Sequence, residues 1–313
     1  MSNPIFNTGA FPDQFSEQKR ERRRFYMNSD AGTVSEQPRQ EQTYGQKYGM
    51  PGPQTGGQYG ADRLEQQYNL PDAAGSEGAP MTYDDVIRKT VISFAVVLLG
   101  AGITVSLLGL TTPEQGINVG LGMTLTTVGL FGGLVLGLVN AFKRNPSPAL
   151  ILAYSLLQGF FVGGITSVLN WQFDGIAMQA VLATVSVFAA VLILFKSGKV
   201  RATPKLNKMF FVALLGYALF SLINLGLMLF GVTDSMFGLR TEVSPWLGIA
   251  LGLLGLALAT YSLVLDFTNI QEGVEAGVAE KYGWTAAFGL TVSLVWLYIE
   301  ILRLLAIIRS MAD

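Results

Sequence analysis

The chain has 313 residues, half of them hydrophobic and only 14% charged, with a formal net charge of −1. It contains no cysteine and no histidine, which excludes disulfides, thiolate or histidine-ligated metal sites and any histidine-based triad. The averages conceal two unlike regions: residues 1 to about 80 are rich in Gln, Gly, Ser, Pro, Tyr and charge, whereas residues 90 to 310 are overwhelmingly apolar.

The first region has no apolar run that would serve as a cleavable signal peptide. It holds a basic cluster, Lys19–Arg24, and a low-complexity stretch, Tyr44–Gly60. Such a composition cannot bury enough apolar surface to offset chain entropy, so residues 1–80 read as a disordered cytoplasmic tail. The basic cluster is a candidate contact for acidic lipid headgroups or nucleic acid. A solvated tail that helps fix topology is the preferred reading, and no nucleic-acid partner is expected.

Seven later stretches reach the roughly 20 apolar residues needed to cross ~30 Å of hydrocarbon. They lie near 91–110, 119–142, 149–169, 176–195, 209–231, 246–267 and 285–309. The expected fold is an all-α integral membrane protein, with seven transmembrane helices in a domain spanning residues 81–313. Turn chemistry separates the segments, as in Lys143–Pro148 and Asn170–Gly175, and Trp171, Trp246 and Trp284 fall at segment ends as interfacial anchors. Gly133/Gly137, Gly159/Gly163 and Gly248/Gly252 are spaced for close helix packing, although a chain with 36 glycines produces such spacings by chance.

Loop charge sets orientation. The loop after segment one and the stretch Asn170–Gly175 carry no Lys or Arg, whereas Lys196–Lys208 holds five, Lys143–Pro148 holds two, and Arg88 and Lys89 precede segment one. The alternation predicts a cytoplasmic N-terminus and, after seven crossings, a C-terminus outside. The last third strains this rule: Glu272, Glu275 and Glu280 face one lysine in the loop after segment six, and Arg303 and Arg309 lie late in segment seven.

Ionisable residues are absent from the cores of the first five segments and concentrate in the last two, as Asp266, Glu300, Arg303 and Arg309. A charge in hydrocarbon costs about 2.5–3.5 kcal/mol even on the lenient insertion scale, so it normally faces the bundle interior. Plainer readings stand beside this one. Asp266 could end its helix at the interface, Arg309 could snorkel, and Glu300 and Arg303 could pair within one turn. Gln158 and Asn224 are further polar candidates in the core, each able simply to bond a neighbouring helix.

The stretches "YSLVLDFTNI" (Tyr261–Ile270) and "VWLYIEILRLLAII" (Val295–Ile308) resemble the last two helices of the Bax inhibitor family, also called the transmembrane Bax inhibitor motif family. "AYSLLQGFFVGG" (Ala153–Gly164) is similar to its third-helix motif, and "MTYDDVIRKT" (Met81–Thr90) with "MSNPIFN" resembles a bacterial, actinobacterial-like branch. The resemblance is placed on residues 81–310, with the tail outside it. It implies a protein of the bacterial cytoplasmic membrane, a bundle with helix seven at its centre, and a pH-sensitive calcium leak. It further implies that an acid on helix six and one on helix seven, here Asp266 and Glu300, form a proton-sensing pair that contacts calcium in transit. Calcium is then the transported ion and no cofactor is expected.

Two carboxylates close together in low dielectric cannot both ionise cheaply, so such a pair shares one proton. The protonated pair bridges its helices and shuts the pore; the ionised pair repels and accepts calcium, which prefers six to eight oxygen ligands. Arg303 acts as a tuning charge, and Glu272, Glu275 and Glu280 are speculative mouth acids that concentrate cations. Glu stands at position 300 where the family more commonly has Asp, and Gln158 where an acid is common. The pair also spans 34 residues. It is level only if the hairpin turns near residue 283; a turn near Gly273–Gly277 offsets the acids by several helical turns. A carboxyl separation beyond about 8 Å excludes a closed pair.

Two other functions compete: a proton-coupled carrier of a small solute, and a non-transporting stress-response scaffold. The first lacks an inverted repeat or Gly/Pro-broken helices. A retinal photoreceptor would need a lysine inside segment seven, and none is there. No motif for conventional catalysis is present, so the protein is not expected to be an enzyme.

Overall fold

Capping side chains and prolines decide where the helices of this chain begin. The computed structural model describes residues 79–233 and 235–312. Its long helices are α1 Tyr83–Leu108, α2 Val119–Phe142, α3 Pro148–Gln172, α4 Ile176–Lys196, α5 Pro204–Leu229, α6 Pro245–Glu275 and α7 Gly283–Ser310. Thr82, Asn118 and Thr203 accept from backbone N–H groups in the first turns of α1, α2 and α5. Pro148, Pro204 and Pro245 open α3, α5 and α6, where a missing N–H breaks no helical bond. All seven are long and apolar enough to cross a membrane, and no β-strand is present among the described residues. The seven-helix, all-α expectation is correct. The readings of a disordered tail and of lipid contact by Lys19–Arg24 fall on residues outside those described.

The helices overrun the apolar stretches at charged ends. α1 begins at Tyr83, ahead of residue 91, α5 begins at Pro204, ahead of 209, and α6 continues past 267 to Glu275. Hydropathy stops at Asp84, Arg88, Lys205 or Glu272, but the backbone hydrogen-bond ladder does not. It runs on until a cap or a glycine of positive φ intervenes, here Gly277 at φ 65° after α6.

Helix α7 is buried along most of its length and packs against α1, α3, α4 and α6. It reaches α5 through a Tyr217–Glu300 hydrogen bond. The others surround it, with α2 lying on α3 and α1, and α5 on α6. The spaced glycines are packing devices. A Cβ on Gly163 would sit 2.5 Å from the Ala101 carbonyl oxygen, and one on Gly159 would strike the α1 backbone at Val97.

A latch fixes the start of α7. Lys89 of α1 donates to Asp85 Oδ2 at 2.6 Å and to the Glu280 carbonyl at 2.8 Å. The Asp85 carboxylate sits against Gly283, the first residue of α7, where a helix N-terminus favours negative charge. Backbone contacts Met81–Val278 and Pro80–Ala279 bind the same two regions.

The seam between α6 and α7 has a readable register. Gly248, Gly252, Gly255, Ala259 and Ser262 put small residues along one stripe of α6. Opposite them stand Ile307 against Gly248, Leu304 against Gly252, and Glu300 against Gly255. Ser293 stands against Ser262 at 2.7 Å between hydroxyls.

Candidate functional site

Two buried polar loci lie along this seam. In the first, Asp266 of α6 is 1% exposed, and its Oδ2 accepts the Ser293 hydroxyl of α7 at 2.5 Å. Ser262 lies one helical turn before Asp266 and bonds the same Ser293 oxygen. A serine has one hydroxyl proton. Since Ser293 gives its own to Asp266, Ser262 donates to Ser293, and the two hydroxyls form a relay that ends on the carboxylate.

In the second, Glu300 of α7 is also 1% exposed. Its Oε1 accepts the Tyr217 hydroxyl at 2.5 Å and the Trp296 indole N–H at 3.0 Å, and it pairs with Arg303 one turn on. Its Oε2 is buried, has no hydrogen-bond partner, and rests on Gly255, where a Cβ would come within 2.6 Å. Tyr217 gives its single proton to Glu300, and its oxygen accepts from Arg303 Nη2 at 3.1 Å and Arg240 Nη1 at 3.0 Å.

Arg240 completes this locus from outside the seven helices. It sits in a single helical turn, Leu239–Glu242, on the α5–α6 connection, yet it is only 2% exposed. Asn224 of α5 places it: its side-chain oxygen accepts the Leu239 N–H at 2.7 Å, and its amide donates to the Phe237 carbonyl. Gly238 adopts φ 62° in between, pressed against that same Asn224 oxygen. Arg240 then donates to Ser221 at 2.8 Å and lies over the rings of Tyr217 and Phe220.

The expected Asp266–Glu300 pair is not formed, which corrects the reading from sequence. The register that sets Ser262 against Ser293 and Gly255 against Glu300 leaves the two acids about ten residues out of level, or ~15 Å at ~1.5 Å per residue. The cause is the turn. α6 ends at Glu275, Gly277 reverses the chain, and α7 starts at Gly283, so the hairpin centres several residues before the position that would level the acids. Glu300 and Arg303 do pair, and in that pair Arg303 is the direct partner of the carboxylate.

The remaining candidates are dispersed. Gln158 faces Gly133 of α2, where a Cβ would lie 3.0 Å from its oxygen. Glu280 pairs with Lys89 at 3.7 Å, Glu275 accepts from Gln271, and Glu272 is exposed. Arg309 donates to the Asp174 carbonyl, which places the end of α7 beside the α3–α4 connection. Among the described residues no three Asp or Glu side chains cluster in a way that could hold a metal. Tyr217, Arg240, Trp296 and the two serines escaped the sequence reading. The one available signal for the serines was the small-residue stripe of α6, which sets the register.

These features define a seven-helix integral membrane protein with buried carboxylates on the seam between its last two helices. A family model described as Bax inhibitor 1 like matches residues 3–310, and the chain belongs to that family. The match extends over most of the N-terminal region, beyond the residues 81–310 on which the resemblance was placed. No curated protein matches the chain.

Proposed function

We propose that the protein is a pH-sensitive calcium leak in which Asp266 alone, without Glu300, is the titrating element. The observation that supports this is the buried Asp266 carboxylate on α6 holding the Ser293 hydroxyl of the central helix. The neutral carboxyl keeps the seam closed. Loss of its proton leaves an anionic oxygen beside the Ser293 hydroxyl, with that of Ser262 next in line, the hard oxygen chemistry that calcium accepts. An ion in transit here keeps part of its water, since calcium prefers six to eight oxygen ligands. Calcium as the cargo is the family's contribution to this reading. Glu300, paired with Arg303, anchors the bundle.

The sign follows: flux rises with pH as Asp266 ionises and falls as it is reprotonated. Calcium efflux from proteoliposomes tests it. Asp266→Asn flattens the pH profile at its low-flux end, while Glu300→Gln lowers the yield of folded protein and leaves the profile's midpoint in place. A midpoint moved equally by both substitutions, with the double variant no worse than either, restores the shared-proton pair. Flux unaffected by Asp266→Asn at every pH overturns the reading.

A further inference from the structure

We propose that the bundle binds an acyl anion, an oxyanion head on a hydrocarbon chain, in the cavity that Arg240 and Arg303 share. This cavity of about 430 Å³ lies between α2, α3, α5 and α7 beneath the α5–α6 connection, within the range of small-molecule sites, roughly 300–1,000 Å³. Its walls are largely apolar, among them Phe161, Ile165, Leu225 and Met228, and Arg240 and Arg303 are among the residues that line it.

Charge points to the ligand. Among the described residues the locus holds two guanidiniums and one carboxylate, and that carboxylate is paired with Arg303. Among the described residues no acid forms an ion pair with Arg240. Among the described residues its partners are the hydroxyls of Tyr217 and Ser221 and two aromatic faces, which supply dipoles and quadrupoles. A cation buried this deeply in an apolar bundle is stable when an anion completes it. The planar fork of arginine suits carboxylate or phosphate oxygens, and Arg303 Nε is buried without a hydrogen-bond partner.

Shape points to the rest of the ligand. α5 packs chiefly on α6, and the cavity occupies the other flank of α5, toward α3. A hydrophilic anion would exchange its water for hydrocarbon over most of this surface, whereas an acyl chain matches it. This inference does not depend on the calcium reading.

The test uses the full chain in neutral detergent, with binding read by native mass spectrometry and by ligand-dependent thermal unfolding. The probes are oleate, phosphatidylglycerol, oleyl alcohol and inorganic phosphate. Saturable binding is expected for oleate or phosphatidylglycerol, and whichever binds more tightly identifies a free fatty acid or a membrane lipid as the source. Arg240→Gln should weaken it at least about ten-fold, and Arg240→Lys less, because the charge remains without the fork. Leu225→Trp, which fills the cavity and leaves both guanidiniums in place, should weaken it to a similar degree and decides the matter if Arg240→Gln does not fold. Oleyl alcohol binding as tightly as oleate overturns the anion; inorganic phosphate binding as tightly overturns the acyl chain. Affinity unchanged in Leu225→Trp overturns the site.

Discussion

The two halves of the α6–α7 seam hold a carboxylate each, and they hold it differently. Asp266 ends a relay of two serine hydroxyls. Glu300 is gripped by a tyrosine, an indole and a guanidinium, with a second guanidinium behind the tyrosine. A carboxyl held by a hydroxyl can change its protonation with little rearrangement, because a serine can donate or accept. A carboxylate facing guanidiniums cannot be neutralised without stranding buried positive charge. The same residue chemistry on one seam thus gives a candidate sensor at one level and an anchor about 15 Å away.

The largest expected effect breaks the anchor. Glu300→Gln leaves Arg303 without its carboxylate and should cost about 3–5 kcal/mol, read as loss of cooperative thermal unfolding in detergent. Asp266→Asn keeps an acceptor for Ser293 and should cost far less. If the two variants lose equal stability, the distinction between anchor and sensor fails.

Two smaller changes probe the packing of the anchor. Tyr217→Phe strips a hydroxyl that serves three charged groups, and a loss of about 1–3 kcal/mol is expected in the same assay. Gly255→Ala drives a methyl into the Glu300 carboxyl and the Tyr217 hydroxyl, for about 1–3 kcal/mol by overpacking. Gly216→Ala on α5, where a Cβ meets nothing within 4 Å, should be neutral or slightly stabilising.

At the sensor the effect on function should outweigh the effect on stability. Ser293→Ala removes its hydrogen bonds to Asp266 and Ser262, about 1 kcal/mol each, yet it should shift the pH profile of calcium efflux because the relay then ends short of Asp266. A profile unchanged in this variant separates the relay from proton sensing.

The seven helices were legible because twenty-residue apolar runs have few other uses, but the starts at Tyr83 and Pro204, set by the caps Thr82 and Thr203, lie in charged stretches ahead of the apolar runs. The concentration of acids in the last two helices was equally plain. Their pairing was not, because it depends on where the hairpin turns. Gly273, Gly277 and Gly283 offer competing points of reversal, and local sequence does not choose among them. The choice is made by contacts distant in sequence: the Lys89–Asp85 latch on the start of α7 and the small stripe of α6 against Glu300 and Leu304. Arg240 was illegible for another reason. A loop arginine reads as solvated until Asn224 and Gly238 fold its turn back into the bundle. Tyr217 in an apolar helix reads as packing until its hydroxyl partners are known.

Register on the α6–α7 seam carries the central claim, and the absence of native cysteine makes it directly measurable. Ser262→Cys with Ser293→Cys should form a disulfide on mild oxidation in membranes, and Ser262→Cys with Leu304→Cys should not. In the register that levels Asp266 with Glu300, Ser262 lies opposite Leu304 instead. Cross-linking of the second pair and not the first would contradict two separate acids and return the seam to a single carboxylate pair.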